Sequence, residues 1–118
     1  MTESQLQQKI VIDFKNNYQC KGLGLIFAVP NGGSRNIIEA KNLKLTGSMA
    51  GVSDLIVLIK NKCDFLEIKI EKGIQSDAQK IFQQRVEALG FEYYLIKSFQ
   101  DYEKYKLQTL PAILQDPR

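Results

Sequence analysis

Leu6, Ile10, Val11 and Phe14 recur at helical intervals behind a Thr2/Gln5 pair with capping-box spacing, which predicts a first helix over residues 3–17. The polar stretch NNYQCKG breaks that pattern, and LGLIFAV then reads as a strand closed by the turn signal PNGG. From Ser34, the apolar positions Ile37, Ile38, Ala40, Leu43 and Leu45 suggest a second helix, with Gly47 at its C-terminal end. GVSDLIVLIKNKCDFLEIKIEKG, residues 51–73, is a pair of apolar runs around a short polar break. It predicts a β-hairpin with strands over 52–59 and 64–70, after which EKGIQ turns the chain. Ser76 and Gln79 form a second capping-box pair ahead of the helical face Ile81, Phe82, Val86 and Leu89, with Gly90 as the cap beyond it. FEYYLI is a further strand, and Ser98 opens a last helix, FQDYEKYKLQTL, that stops at Pro111. The predicted order is α-β-α-β-β-α-β-α. The closing strand–helix–strand unit implies a right-handed crossover and a parallel pair, and the earlier strands suit an antiparallel meander. The fold class is α/β, a mixed sheet with helices on its faces.

Three charged residues interrupt the hairpin: Asp54, Glu67 and Lys69. Strand side chains alternate faces, so Leu66, Ile68 and Ile70 share one face and Phe65, Glu67 and Lys69 the other. A turn centred between Asn61 and Lys62 sets Asp54 opposite Lys69 and Ile56 opposite Glu67. The three charges then converge within about one cross-strand diagonal, roughly 7 Å. A one-residue change of register would separate them. Two carboxylates held that close repel, and apolar neighbours such as Phe65 raise the cost of ionising both. A hard divalent cation, Mg²⁺ or Mn²⁺, resolves the conflict with oxygen ligands, water and phosphate oxygens. It also acidifies water and offsets phosphoryl charge, while an ammonium beside it stabilises developing negative charge. The same residues also fit a solvated ion-pair strip on an exposed strand.

Composition narrows the chemistry. With 118 residues, the chain suits one domain, 1–118, around a single core. There is no histidine, which removes Ser-His-Asp and Cys-His catalysis and imidazole metal sites. Cys20 and Cys63 are isolated, which argues against a disulfide framework or a structural zinc site. The net charge of +3 permits a polyanionic partner without demanding one. No apolar run is long enough to span a bilayer and no signal segment opens the chain, so the expectation is a cytoplasmic protein with no membrane partner.

The ordered set formed by VPNGGSRNIIEAKNLKLTGSMAGVSDLIVL and FLEIKIEKGIQSDAQKIFQQRVEALGFEYYLI resembles the virus-type replication-repair nuclease family (VRR-NUC) of the PD-(D/E)XK nuclease superfamily. The resemblance runs from Glu3 to about Ile96 through a helical Glu, P-N-G-G, G-x-x-D, E-x-K and a helical Gln. It implies a restriction-endonuclease-like fold. It implies Asp54 and Glu67 as metal-binding acids, the Ile68 carbonyl as an extra metal ligand and Lys69 as the catalytic lysine. Gln79 is implied as an amide near the active site and Glu3 as a first-helix acid supporting the metal. Ser53 departs from the family, which often has proline before the acid. Stand-alone, phage-like members of this size resemble Holliday junction resolvases and are expected to form homodimers.

Plainer roles stand beside these. Glu3 suits the positive end of its helix, and Gln79 suits the capping box of Ser76. Asn31 and Gly32 suit a turn, or a backbone approach to a phosphate. Arg35, Lys41, Lys44, Lys72, Lys80 and Arg85 are solvated charges, of which those near the sheet face suit the DNA backbone. The first helix and the apolar TLPAIL segment are the candidate dimer surfaces. The expected activity is Mg²⁺- or Mn²⁺-dependent hydrolysis of duplex or branched DNA in replication, repair or recombination, in the host cytoplasm if the chain is phage-encoded. The alternatives are a non-catalytic nucleic-acid-binding or assembly module and a metal-dependent phosphohydrolase acting on nucleotides.

Overall fold

A computed structural model describes residues 1–30 and 37–110. The first helix, α1 (Glu3–Asn17), opens with the complete Thr2/Gln5 capping box. A short 3-10 turn (Gln19–Lys21) leads into β1 (Gly24–Ala28). Then follow α2 (Ile37–Leu45), β2 (Leu55–Ile59), β3 (Lys62–Ile68), α3 (Asp77–Ala88), β4 (Glu92–Ile96) and α4 (Phe99–Thr109). The four strands form one sheet in the order β1-β2-β3-β4. The first three are an antiparallel meander, and β4 returns parallel to β3 after α3, as the order of elements predicts.

Period-two alternation sorts the sheet into two faces. On one, Ile26, Leu55, Val57, Leu66, Ile68 and Ile96 pack against Leu6, Ile10 and Phe14 of α1 and against Tyr102, Tyr105 and Leu110. On the other, Phe65 and Tyr93 meet Phe82 and Val86 of α3. Gly90, at φ 92, closes α3: Phe91 N–H returns to the Val86 carbonyl and Gly90 N–H to that of Glu87, both at 3.0 Å. The first core also holds an acid. Asp64 is fully buried, accepts from Tyr105 Oη at 2.7 Å and has Lys62 Nζ 3.3 Å away, and burial raises its pKa. The bond ties α4 to β3. From residues on either side of Tyr105, Asp13 accepts from Tyr102 Oη at 2.8 Å and Lys106 Nζ at 2.9 Å, joining α1 to α4.

One expectation is corrected. The hairpin turns earlier than a centre between Asn61 and Lys62 requires. Ile59 pairs with Lys62 and Leu55 with Leu66, so Lys60 and Asn61 form the loop. Asn61 takes the left-handed φ of 62 there, a conformation its short polar side chain tolerates. The first strand begins later than the expected 52–59 and ends with it, the second begins and ends two residues earlier than 64–70, and Ile56 faces Phe65 instead of Glu67. The second helix forms as expected, with Ile38 and Leu45 exposed. Part of each candidate dimer surface packs in the protomer's own core. Leu6, Ile10 and Phe14 are buried, and so are Thr109 and Leu110 at the start of TLPAIL. The rest of that segment lies outside the described residues.

Candidate functional site

The observed register carries the hairpin two residues from the expected one, so parity is kept and the charges still meet. Extending the ladder by one step puts Asp54 opposite Glu67, not Lys69. Asp54 stands just before β2, where its carbonyl accepts from Val29 N–H at 3.0 Å. Its side chain takes over the next rung of the ladder: Oδ2 accepts from Ile68 N–H at 2.7 Å. In an extended strand a residue's N–H and C=O point to the same side, so the Ile68 carbonyl faces the Asp54 edge as well. Lys69 N–H points the other way and donates to Ile96 at 3.0 Å. Ser53 is buried and donates its hydroxyl to the Leu55 carbonyl at 3.2 Å.

Glu67 is only 1% exposed. Its Oε2 accepts from Gln79 Nε2 at 3.1 Å and has Lys69 Nζ at 3.9 Å. Its Oε1 is buried with no hydrogen-bond partner. Burial first, then the charge of Asp54 and a hydrogen bond that the protonated Glu67 carboxyl makes to Asp54, push the Glu67 pKa up to about 8, with Lys69 opposing and Glu3 adding a smaller push. A buried oxygen without a partner costs on the order of 1–3 kcal/mol and calls for an explanation. A cation is one that fits the donor set, which is all hard oxygen: Asp54, Glu67 Oε1 and the Ile68 carbonyl. Among the described residues no group of three or more His, Cys, Asp or Glu side chains is placed to hold a metal. Mg²⁺, which is typically held by one or two carboxylates and keeps several waters, suits two carboxylates and a carbonyl.

Gln79 forms the expected capping box and also touches Glu67. Its Oε1 accepts from Ser76 N–H at 2.8 Å in the α3 capping box while its Nε2 reaches Glu67. Glu3 is drawn in by the turn after β3. Gly73 N–H closes that turn on Ile70 O at 2.8 Å, and a Cβ on Gly73 would stand 3.6 Å from Glu3 Oε2 and 3.5 Å from Lys69 Cδ. Of the expected nucleic-acid contacts, Lys72 is exposed on this turn. Asn31, Gly32 and Arg35 lie outside the described residues.

Sequence reasoning missed Gly51 and Ser76 as parts of this arrangement. Gly51, at φ 83, lies so close to the start of α3 that a Cβ there would sit 2.3 Å from the Ala78 carbonyl oxygen and 2.8 Å from Gln79 N. The close approach seats the segment leading to Asp54 against the turn that carries Gln79. The glycine of G-x-x-D was the available signal, but its contact is long-range. Gly51→Ala is expected to destabilise the protein by about 2–4 kcal/mol, from overpacking and the left-handed backbone together. Urea denaturation measures it, and a wild-type midpoint would refute the tight contact.

No protein-family model, curated protein or solved structure matches the chain.

Proposed function

We propose that the chain is a Mg²⁺- or Mn²⁺-dependent endonuclease that hydrolyses DNA phosphodiester bonds. The observation that carries the reading is Glu67: a buried carboxylate beside Asp54, with one oxygen accepting from Gln79 and facing the Lys69 ammonium and the other left without a donor. DNA as the substrate, branched DNA in particular, rests on the resemblance to VRR-NUC nucleases, as does the homodimer.

Asp54, Glu67 Oε1 and the Ile68 carbonyl would hold the cation. When bound, the cation supplies an acidified water and offsets charge on the scissile phosphate. Asp54, tied to the β3 backbone, is fixed before any ligand arrives. Gln79 holds the Glu67 carboxylate in place. Lys69, whose side chain is 16% exposed, reaches the same oxygen from the strand's end and can turn its ammonium to a phosphate oxygen or to the attacking water. Glu3 adds negative charge from the start of α1. Lys72 is placed to meet the DNA backbone beside the site.

A panel of labelled duplex, single-stranded, flap and four-way-junction DNA, incubated with Mg²⁺, Mn²⁺ or EDTA, tests the reading. Cutting is expected with either metal, with branched substrates favoured, and none in EDTA. Tight binding that ignores metal, without cutting, would replace this reading with that of a binding module. Cleavage of small phosphodiesters without regard to duplex structure would indicate a nucleotide phosphohydrolase.

A further inference from the structure

We propose that the capping box of α3 is a positioning device, and that Ser76 acts through Gln79 to decide which oxygen of Glu67 is offered to a ligand. The argument starts from the two ends of the Gln79 amide. They have the same shape, but only one accepts hydrogen bonds and only the other donates. Ser76 N–H can only donate, and it lies 2.8 Å from the Gln79 amide, so the oxygen must face it. The NH₂ end is thereby turned to Glu67 Oε2, 3.1 Å away. With the amide reversed, its oxygen would meet the carboxylate and its NH₂ would meet the Ser76 N–H, and both contacts would be repulsive.

The second half of the box holds the helix end in register, because Gln79 N–H donates to Ser76 Oγ at 3.2 Å. Gly51 packs against the Ala78–Gln79 peptide from the outside. The result is one-sided: Gln79 donates to Oε2, the Lys69 ammonium lies nearest the same oxygen at 3.9 Å, and Oε1 is left without a donor in a buried position. Groups that orient a metal ligand from behind typically change metal affinity 10–100-fold when lost. A helix cap is used here for that purpose as well as for stability.

The orientation stands on the hydrogen bonds alone. Its consequence for a cation rests on the metal reading above, so the test reads the two separately. Ser76 has φ −70, which proline adopts, and Ser76→Pro removes both the N–H and the hydroxyl. By NMR of the metal-free protein, the Gln79 side-chain amide protons are expected to exchange slowly with solvent in the wild type and fast in Ser76→Pro. Mn²⁺ affinity is expected to fall about 10–100-fold in Ser76→Pro. Gln79→Met is expected to lose as much, and the double variant no more than Gln79→Met alone, because the two act in series. Ser98→Ala removes the cap of α4, away from the site, and is the control. It should lower Tm while leaving Mn²⁺ affinity unchanged. Should Ser76→Pro fail to fold, Ser76→Ala, which keeps the N–H, is expected to lose part of the affinity in the same direction. Fast Gln79 exchange in the wild type, unchanged Mn²⁺ affinity in the Ser76 variants, or additive losses in the double variant would overturn the proposal. If the wild type takes up no Mn²⁺, the metal reading fails, and amide exchange alone decides whether Ser76 orients Gln79.

Discussion

Alanine in place of Lys69 is expected to slow metal-dependent DNA cleavage by about 10²–10³-fold, the usual cost of removing one preorganised group that stabilises transition-state charge. The metal-free fold should hardly change. Lys69 is 3.9 Å from Glu67 Oε2, and with the Glu67 pKa near 8 the carboxyl is mostly protonated at neutral pH, so little ion-pair stability is there to lose. A second effect follows from the electrostatics. Lys69 lowers the Glu67 pKa against burial and Asp54, so its removal makes the proton harder to displace. A cation must displace that proton to bind. The pH at which cleavage reaches half its plateau should therefore rise in Lys69→Ala, beyond the drop in the plateau itself. Single-turnover rates across a pH series separate the two. Wild-type rates in the variant would remove Lys69 from the mechanism. An equal loss at every pH would confine it to stabilising charge. Asp54→Asn should remove cleavage by a different route, by weakening the cation.

Much of this arrangement was legible in the sequence. The element order follows from periodicity and from three serine or threonine caps, and all three caps form. The grouping of Asp54 with Glu67 followed from strand parity, which a two-residue register error leaves intact. The error arose because either Lys60-Asn61 or Asn61-Lys62 makes a plausible two-residue turn. The left-handed backbone at Asn61 decides it, and only the folded sheet reveals that. The exposure of Ile38 and Leu45 was not legible either, since helical periodicity states which residues share a face and not whether anything covers it. The open part of the sheet had no signal of its own: Leu25, Phe27 and Leu58 look like core residues in a strand pattern, yet they are exposed beyond the edge of α3. Gly51 and Ser76 were hidden for a related reason. Their effects run through contacts between segments, whereas a motif records spacing along one.

Glutamine in place of Glu67 is expected to make the metal-free protein more stable above neutral pH while abolishing its response to Mg²⁺. The Glu67 pKa is raised in the fold, from 4.5 to about 8. Between those values the folded protein holds a proton that the unfolded chain releases, so stability falls as pH rises through the window. Below it both states are protonated and nothing is lost. Above it both are ionised and the full cost is present. At about 1.4 kcal/mol per unit, wild type forfeits on the order of a few kcal/mol across the window. The raised pKa of buried Asp64 adds a slope of the same sign, common to both proteins. Glu67→Gln keeps the shape, can still accept from Gln79 and carries no charge to desolvate, so its stability should fall less steeply and exceed that of wild type at alkaline pH. Mg²⁺ should reverse the order by binding the ionised wild type and raising its Tm, with no effect on the variant. Urea denaturation over the pH range, with EDTA or Mg²⁺, measures both. Parallel curves for the two proteins would mean that Glu67 is not strained in the fold. A Mg²⁺ response retained by the variant would place the cation elsewhere.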